Sequence, residues 1–116
     1  MFVRNVSLNL KPNTLTEFVK TMESEIVPLL RKQKGFQDAI TLAVPGGREV
    51  VAISFWERKE NAQAYNSTGY AEVLKILERF LDGTPHVRTF DVVSSTVQKA
   101  AAPVSPIVGR KETVAA

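Results

Sequence analysis

The sequence predicts an α+β fold in the order βαββαβ: a four-stranded antiparallel sheet with its helices on one face. Three observations lead there. Residues 2–10 alternate apolar and polar side chains at the two-residue period of a half-buried strand. Leu15, Phe18, Val19, Met22, Ile26, Leu29 and Leu30 recur at three- and four-residue steps, the stripe of an amphipathic helix. In residues 50–56 only Ser54 is polar, which marks a strand inside its sheet and covered on both faces, and this strand runs directly into a broken helix.

The first strand places Phe2, Val6, Leu8 and Leu10 on one face and Val3, Asn5, Ser7 and Asn9 on the other; Arg4 falls on the apolar side. Lys11, Pro12 and Asn13 end it. Thr14 and Glu17 have the spacing of a capping box, in which a hydroxyl and a carboxylate satisfy free amides at a helix start. Pro28 has no amide for the carbonyl of Ser24, so the helix is expected to bend or loosen there, and Gly35 suits the residue just past its end. A second strand, residues 36–44, sets Ile40, Leu42 and Val44 against Ala39, Thr41 and Ala43, and Pro45-Gly46-Gly47 turns it into the third as a hairpin. Past Trp56, residues 59–66 read as a short helix containing Tyr65. After a break at Ser67-Thr68-Gly69, residues 70–81 form another, with Tyr70, Val73, Leu74, Leu77 and Leu81 facing inward. A fourth strand is expected over residues 86–97. This order is the ferredoxin-like, split-βαβ arrangement. It leaves the second face of the sheet bare although the third strand is apolar on both sides, so a second copy of the chain is expected to cover it, giving a homodimer.

With 116 residues the chain has the size of one domain, predicted over residues 1–97. Residues 98–116 are rich in Ala, Pro and Val without helical or strand period; Pro103 and Pro106 stiffen this segment, and it is expected to be an extended arm reaching onto the partner subunit. The absence of cysteine excludes disulfides, thiolate metal sites and Cys nucleophiles, and His86 alone is too little imidazole for a zinc site, so no metal is expected. The net charge of +3 gathers no basic stripe: its excess comes largely from Lys99, Arg110 and Lys111 against Glu112. No nucleic-acid partner is therefore expected. No apolar run reaches the length of a membrane span, and the first ten residues are broken by polar ones, so the reading is a cytoplasmic protein without membrane contact. An RNA-recognition module shares the element order but needs exposed strand aromatics within a basic Gly-aromatic motif, and EVVAISFWE supplies none. Neither a nucleophile elbow nor a phosphate loop is present.

The stretch ISFWERKENAQAYNSTGYAEVLKIL joins a strand ending in Trp-Glu to a short charged helix, a break and an aromatic-led helix. It resembles the antibiotic biosynthesis monooxygenase-like branch of the dimeric α+β barrel superfamily, and the resemblance extends over about residues 1–97. Members include cofactor-independent oxygenases of aromatic polyketides, haem-degrading oxygenases, signal-degrading enzymes and proteins with no assigned role. The resemblance matches Trp56 to the family tryptophan that ends the third strand, and Tyr65 falls near the place where many members carry His or Tyr. Asn5 corresponds to the first-strand Asn of haem-degrading members, while Lys75 and its neighbours replace their His, so the resemblance implies no haem and no cofactor. Ala52 stands where the polyketide oxygenases carry an Asn.

The candidate ligand-binding residues are accordingly Asn5, Trp56, Tyr65, Tyr70, His86 and Arg88; no catalytic residue is assigned. Trp56 would line a cleft or fill the core. The tyrosines would pack with wet hydroxyls, since a phenol titrates near pH ~10. His86 is the chain's one imidazole, at the mouth of the fourth strand, and Arg88 would bind an anion or pair with a carboxylate. The expected function is a cofactor-independent monooxygenase or related enzyme acting on a small aromatic or carbonyl compound in a cleft near Trp56, Tyr65 and Tyr70. The alternative is a non-enzymatic dimeric small-molecule-binding or stress-related protein with the same fold and that cleft filled.

Overall fold

The computed structural model describes residues 1–97; the arm expected over 98–116 lies outside the described residues. Four strands, β1 (Phe2–Asn9), β2 (Phe36–Ala43), β3 (Glu49–Trp56) and β4 (His86–Asp91), form one antiparallel sheet in the order β2-β3-β1-β4. The order βαββαβ is therefore present, and β3 lies inside its sheet as its apolar run requires. Register sorts the side chains into cross-sheet rows. On the helix side the rows are Asp91–Phe2–Trp56–Phe36, Thr89–Arg4–Ser54–Ala39 and Val87–Val6–Ala52–Thr41. On the other side they are Phe90–Val3–Phe55–Asp38, Arg88–Asn5–Ile53–Ile40 and His86–Ser7–Val51–Leu42. Between Phe36 and Asp38 the ladder of β2 slips by one residue, a β-bulge that leaves Gln37 without an opposite residue.

The first helical segment is in three pieces. α1 (Leu15–Thr21) passes into a π-helical turn at Met22–Ile26, followed by α2 (Val27–Arg31). The expected loosening at Pro28 takes this form: with no amide at Pro28, the turn before it widens, and Met22 and Ile26 still reach the core. The capping box at Thr14 and Glu17 does not form. Asn13 has φ 61, which turns the chain sharply enough that the Thr14 hydroxyl donates to the carbonyl of Lys11 at 2.8 Å and caps no helix amide. After β3, α3 (Lys59–Ser67) and α4 (Gly69–Leu77) meet at the expected break, and a 3-10 turn at Glu78–Phe80 ends the helix. That turn carries Phe80 into the core, edge-on to Phe18 at 6.0 Å.

β4 ends at Asp91 and does not run to residue 97. Asp91 lies opposite Phe2, the first residue of β1, and the next amide, Val92, donates to the carbonyl of Met1 at 3.1 Å, which closes the ladder between the two strands. The core lies between sheet and helices around Trp56, Phe18, Leu10, Ile26 and Val50. The opposite sheet face is bare: Ile40, Leu42 and Phe90 are exposed, with Val51, Ile53 and Phe55 half-buried between them. No helix of the described residues is long and apolar enough to cross a membrane.

Gly35 joins the first helical layer to β2 and α3. Its φ is 82, its carbonyl accepts the Glu57 amide at 2.8 Å, and a Cβ there would fall on the side chain of Asn61. Asn61 is fixed in turn, because its Oδ1 accepts the Arg58 amide at 3.1 Å at the start of α3. Gly46 also has positive φ but open space around it. Left-handed strain alone costs ~1–3 kcal/mol, so Gly46→Ala is expected to lose about that much and Gly35→Ala distinctly more. Urea unfolding midpoints check the order; equal losses would show that Asn61 yields freely.

Candidate functional site

Five side chains on the helix side of the sheet gather at one point. Trp56 has no exposed surface, and its indole Nε1 donates to the Ser54 hydroxyl at 2.9 Å. Tyr65 of α3 stacks on it with ring centres 5.0 Å apart, and Phe36 meets it edge-on at 5.6 Å. Tyr70, at the start of α4, lies 6.0 Å from Tyr65. Between the two tyrosines sits the guanidinium of Arg4, 5.0 Å from the Tyr65 ring and 4.4 Å from that of Tyr70. Its Nη2 donates to Asn66 Oδ1 at 2.9 Å, and the residue is only 3% exposed. The break between the helices makes this packing feasible: a Cβ on Gly69 would lie 3.0 Å from the Tyr65 ring.

The neighbouring rows carry small residues, Ala39, Ser54, Ala52 and Thr41, where a sheet packed against helices usually carries large ones. Their shortness leaves a small, mostly apolar cavity of about 50 Å³, bounded by those residues, Arg4, the two tyrosines, and Met22, Ile26 and Val73 from the helices. On its outer side Arg4 faces a second space, an open cleft of about 610 Å³ between α3 and β4, lined among others by Lys59, Gln63, Asn66, Val87 and Thr89. Arg4 belongs to both walls.

Burial pushes the Tyr65 hydroxyl up to about 12, against the opposing pull of Arg4 and with Tyr70 adding to the rise; Tyr70 is raised in the same direction, again chiefly by burial. Both phenols are therefore neutral donors at physiological pH and do not act as bases. Among the described residues no group of three or more His, Asp and Glu could hold a metal ion.

The six candidates do not converge within one protomer. Trp56, Tyr65 and Tyr70 lie under the helices, whereas Asn5, His86 and Arg88 share the bare face, with Asn5 directly opposite Arg88 and Arg88 lying 5.1 Å from the Phe90 ring. Trp56 lines neither space; it stands behind Tyr65 and sets its position. Its indole partner is a hydroxyl. Sequence reasoning missed Arg4, Ser54 and Asn66. The signal for Arg4 was present, since a charge in the apolar register of a strand is rarely buried without a purpose.

No family model and no curated protein matches the sequence. Solved structures do. A monooxygenase of Streptomyces coelicolor in complex with nanaomycin D superposes with TM-score 0.71 at 22% identity, over 83% of this chain and 90% of the other. A cofactor-independent oxygenase of Streptomyces nogalater gives 0.67 at 14%, over 83% and 96%. The chain has the fold of the antibiotic biosynthesis monooxygenases. The ferredoxin-like architecture and the family likeness read from residues 53–77 are thus borne out as fold. A third structure, of a protein with two manganese protoporphyrin IX molecules bound per active site, matches at 0.66 and 17% identity over 83% and 98%.

The chain contains two tyrosines, so an absorbance titration reads the site alone. In the folded protein both are expected to ionise later than an ordinary phenol, Tyr65 at about 12, and both near pH ~10 in denaturant. A group whose folded pKa is raised binds more protons folded than unfolded above pH ~10, so its stabilising contribution, full below that value, drains away as pH climbs toward 12. Tyr65→Phe is expected to flatten this alkaline loss in pH-dependent melts.

Proposed function

We propose that the chain is a cofactor-independent monooxygenase of small hydroxyaromatic compounds, working where the inner cavity and the outer cleft meet at Arg4. The observation that carries the reading is a single fixed cation set between two aromatic faces at the wall of an otherwise apolar space. Such a charge favours the deprotonated form of a bound phenol, and a phenolate is electron-rich enough to reduce dioxygen directly. The balance needs no external reductant: a naphthol and O₂ give a naphthoquinone and water, with the substrate supplying both electrons, one oxygen atom entering the ring and the other leaving as water. Tyr65 and Tyr70, held neutral, donate hydrogen bonds to developing negative charge and shape a flat slot. The likeness of fold to two oxygenases of Streptomyces supports the class of reaction.

A second reading is a dimeric binding protein. It is favoured by the size of the inner cavity, about 50 Å³, which admits little more than a water molecule. The two readings part in one experiment. Oxygen uptake matching quinone formation one to one is expected with a naphthol, and at least tenfold less with Arg4→Met. Quenching of Trp56 fluorescence by the naphthol without oxygen uptake would leave the binding reading.

The bare sheet face is assigned to a homodimer. Ile40 and Leu42, 46% and 50% exposed, continue the apolar surface of Val51, Ile53 and Phe55. Covering such a face yields roughly 25 cal/mol per Å². Sedimentation at micromolar concentration is expected to give a dimer, and the pair Ile40→Glu and Leu42→Glu a folded monomer. A monomeric parent protein would sink the assignment.

A further inference from the structure

We infer that, granted the ligand site proposed above, Arg4 is the anchor for a permanently anionic ligand: an aromatic carboxylate bearing an adjacent hydroxyl, which reaches Arg4 through the cleft between α3 and β4. The starting point is an uncompensated charge. Arg4 is 3% exposed, yet among the described residues its partners are the Asn66 amide oxygen and the faces of Tyr65 and Tyr70, with no carboxylate. A buried cation is normally paired, because the desolvation it suffers is recovered only from an opposite charge. One of its five N–H donors is committed to Asn66 and its other interactions are with the neutral phenols Tyr65 and Tyr70, so among the described residues no anion takes up its charge.

The surroundings specify the missing partner. The outer cleft carries a second cation, Lys59, and neutral polar groups from Gln63, Asn66, Ser67 and Thr89; no Asp or Glu lines it. It therefore attracts anions and offers them hydrogen bonds. Both tyrosines, which line the inner cavity beside Arg4, stay protonated and so add no negative charge that would repel an anion. The planar fork of a guanidinium matches two oxygens on one edge, the geometry of a carboxylate or of a carboxylate with its ortho hydroxyl, and the flat walls beside it suit a ring. A neutral phenol would leave the charge of Arg4 unmatched. The same deficit explains why Arg rather than an apolar residue occupies this register: the cation lowers the stability of the unliganded fold and is worth keeping only for what it binds.

The test compares an ortho-hydroxynaphthoate with the corresponding naphthol at pH 7, reading Trp56 fluorescence and calorimetric affinity on the full chain. The carboxylate is expected to bind at least tenfold more tightly. Arg4→Met is expected to bring the two affinities together and to melt at a higher temperature than the parent. Equal affinities in the parent protein would overturn this inference and leave the ligand site standing, whereas binding of neither compound would overturn both. A preference for the carboxylate that survives in Arg4→Met would also overturn it, by placing the anion elsewhere. Should Arg4→Met not fold, Arg4→Lys keeps the charge and loses the fork. A threefold or greater loss of the preference is then expected, and an unchanged preference counts against the proposal.

Discussion

Trp56 is the contact through which sheet and helices hold each other in place. It sits in the row Phe2–Trp56–Phe36 across three strands, bonds Ser54 beneath it and carries Tyr65 of α3 on its face. Each aromatic pairing adds ~0.5–1.5 kcal/mol beyond the area it buries, and loss of a buried tryptophan side chain costs ~3–5 kcal/mol. The geometry matters more than the sum. Because Trp56 fixes Tyr65, and Tyr65 with Tyr70 brackets Arg4, the position of this buried cation is inherited from a residue that touches no solvent. Removing the indole would loosen the site before it unfolded the domain.

Much of this was legible in residue spacing. Period-two alternation in β1, the unbroken apolar run of β3 and the helical stripe ahead of Pro28 each report burial directly, and burial is what a one-dimensional pattern records best. Even the looseness at Pro28 followed from a missing amide, although its form as a π turn did not. The capping box failed because it is a local motif that competes with other local bonds. Thr14 found a carbonyl in the preceding turn first. The length of β4 depends on where β1 begins, a non-local fact invisible in the strand itself.

The site was harder to read. Tyr65 and Tyr70 were singled out beside a tryptophan, and the structure brings those three together; Asn5, His86 and Arg88 share composition with them but lie across the sheet. Assigning a residue to a face needs only parity, and parity already placed Arg4 with the core. What parity cannot supply is the pairing of charges in space, so the absence of a carboxylate near Arg4 among the described residues became visible only in three dimensions. Neither can the fold supply it. Neighbours of nearly equal similarity include oxygenases and a porphyrin-bound protein, so the chemistry has to be read from the side chains of this chain.

The slip in β2 at Gln37 has a consequence for how the sequence can change. One extra residue resets which side of the strand is odd and which is even. It lets Phe36 point toward Trp56 while, a few positions on, Ala39 and Thr41 take the places over the cavity and Ile40 and Leu42 look away. Loss of Gln37 would close the slip and still leave Phe36 opposite Trp56, whereas gain of a single codon between the slip and the hairpin, with the turn held, would push Phe36 one place on and face it outward. A neutral-looking gain in length would thus erase an aromatic contact that no point substitution in β2 beyond Phe36 could reach, so this segment is expected to tolerate loss of Gln37 far better than gain of a residue.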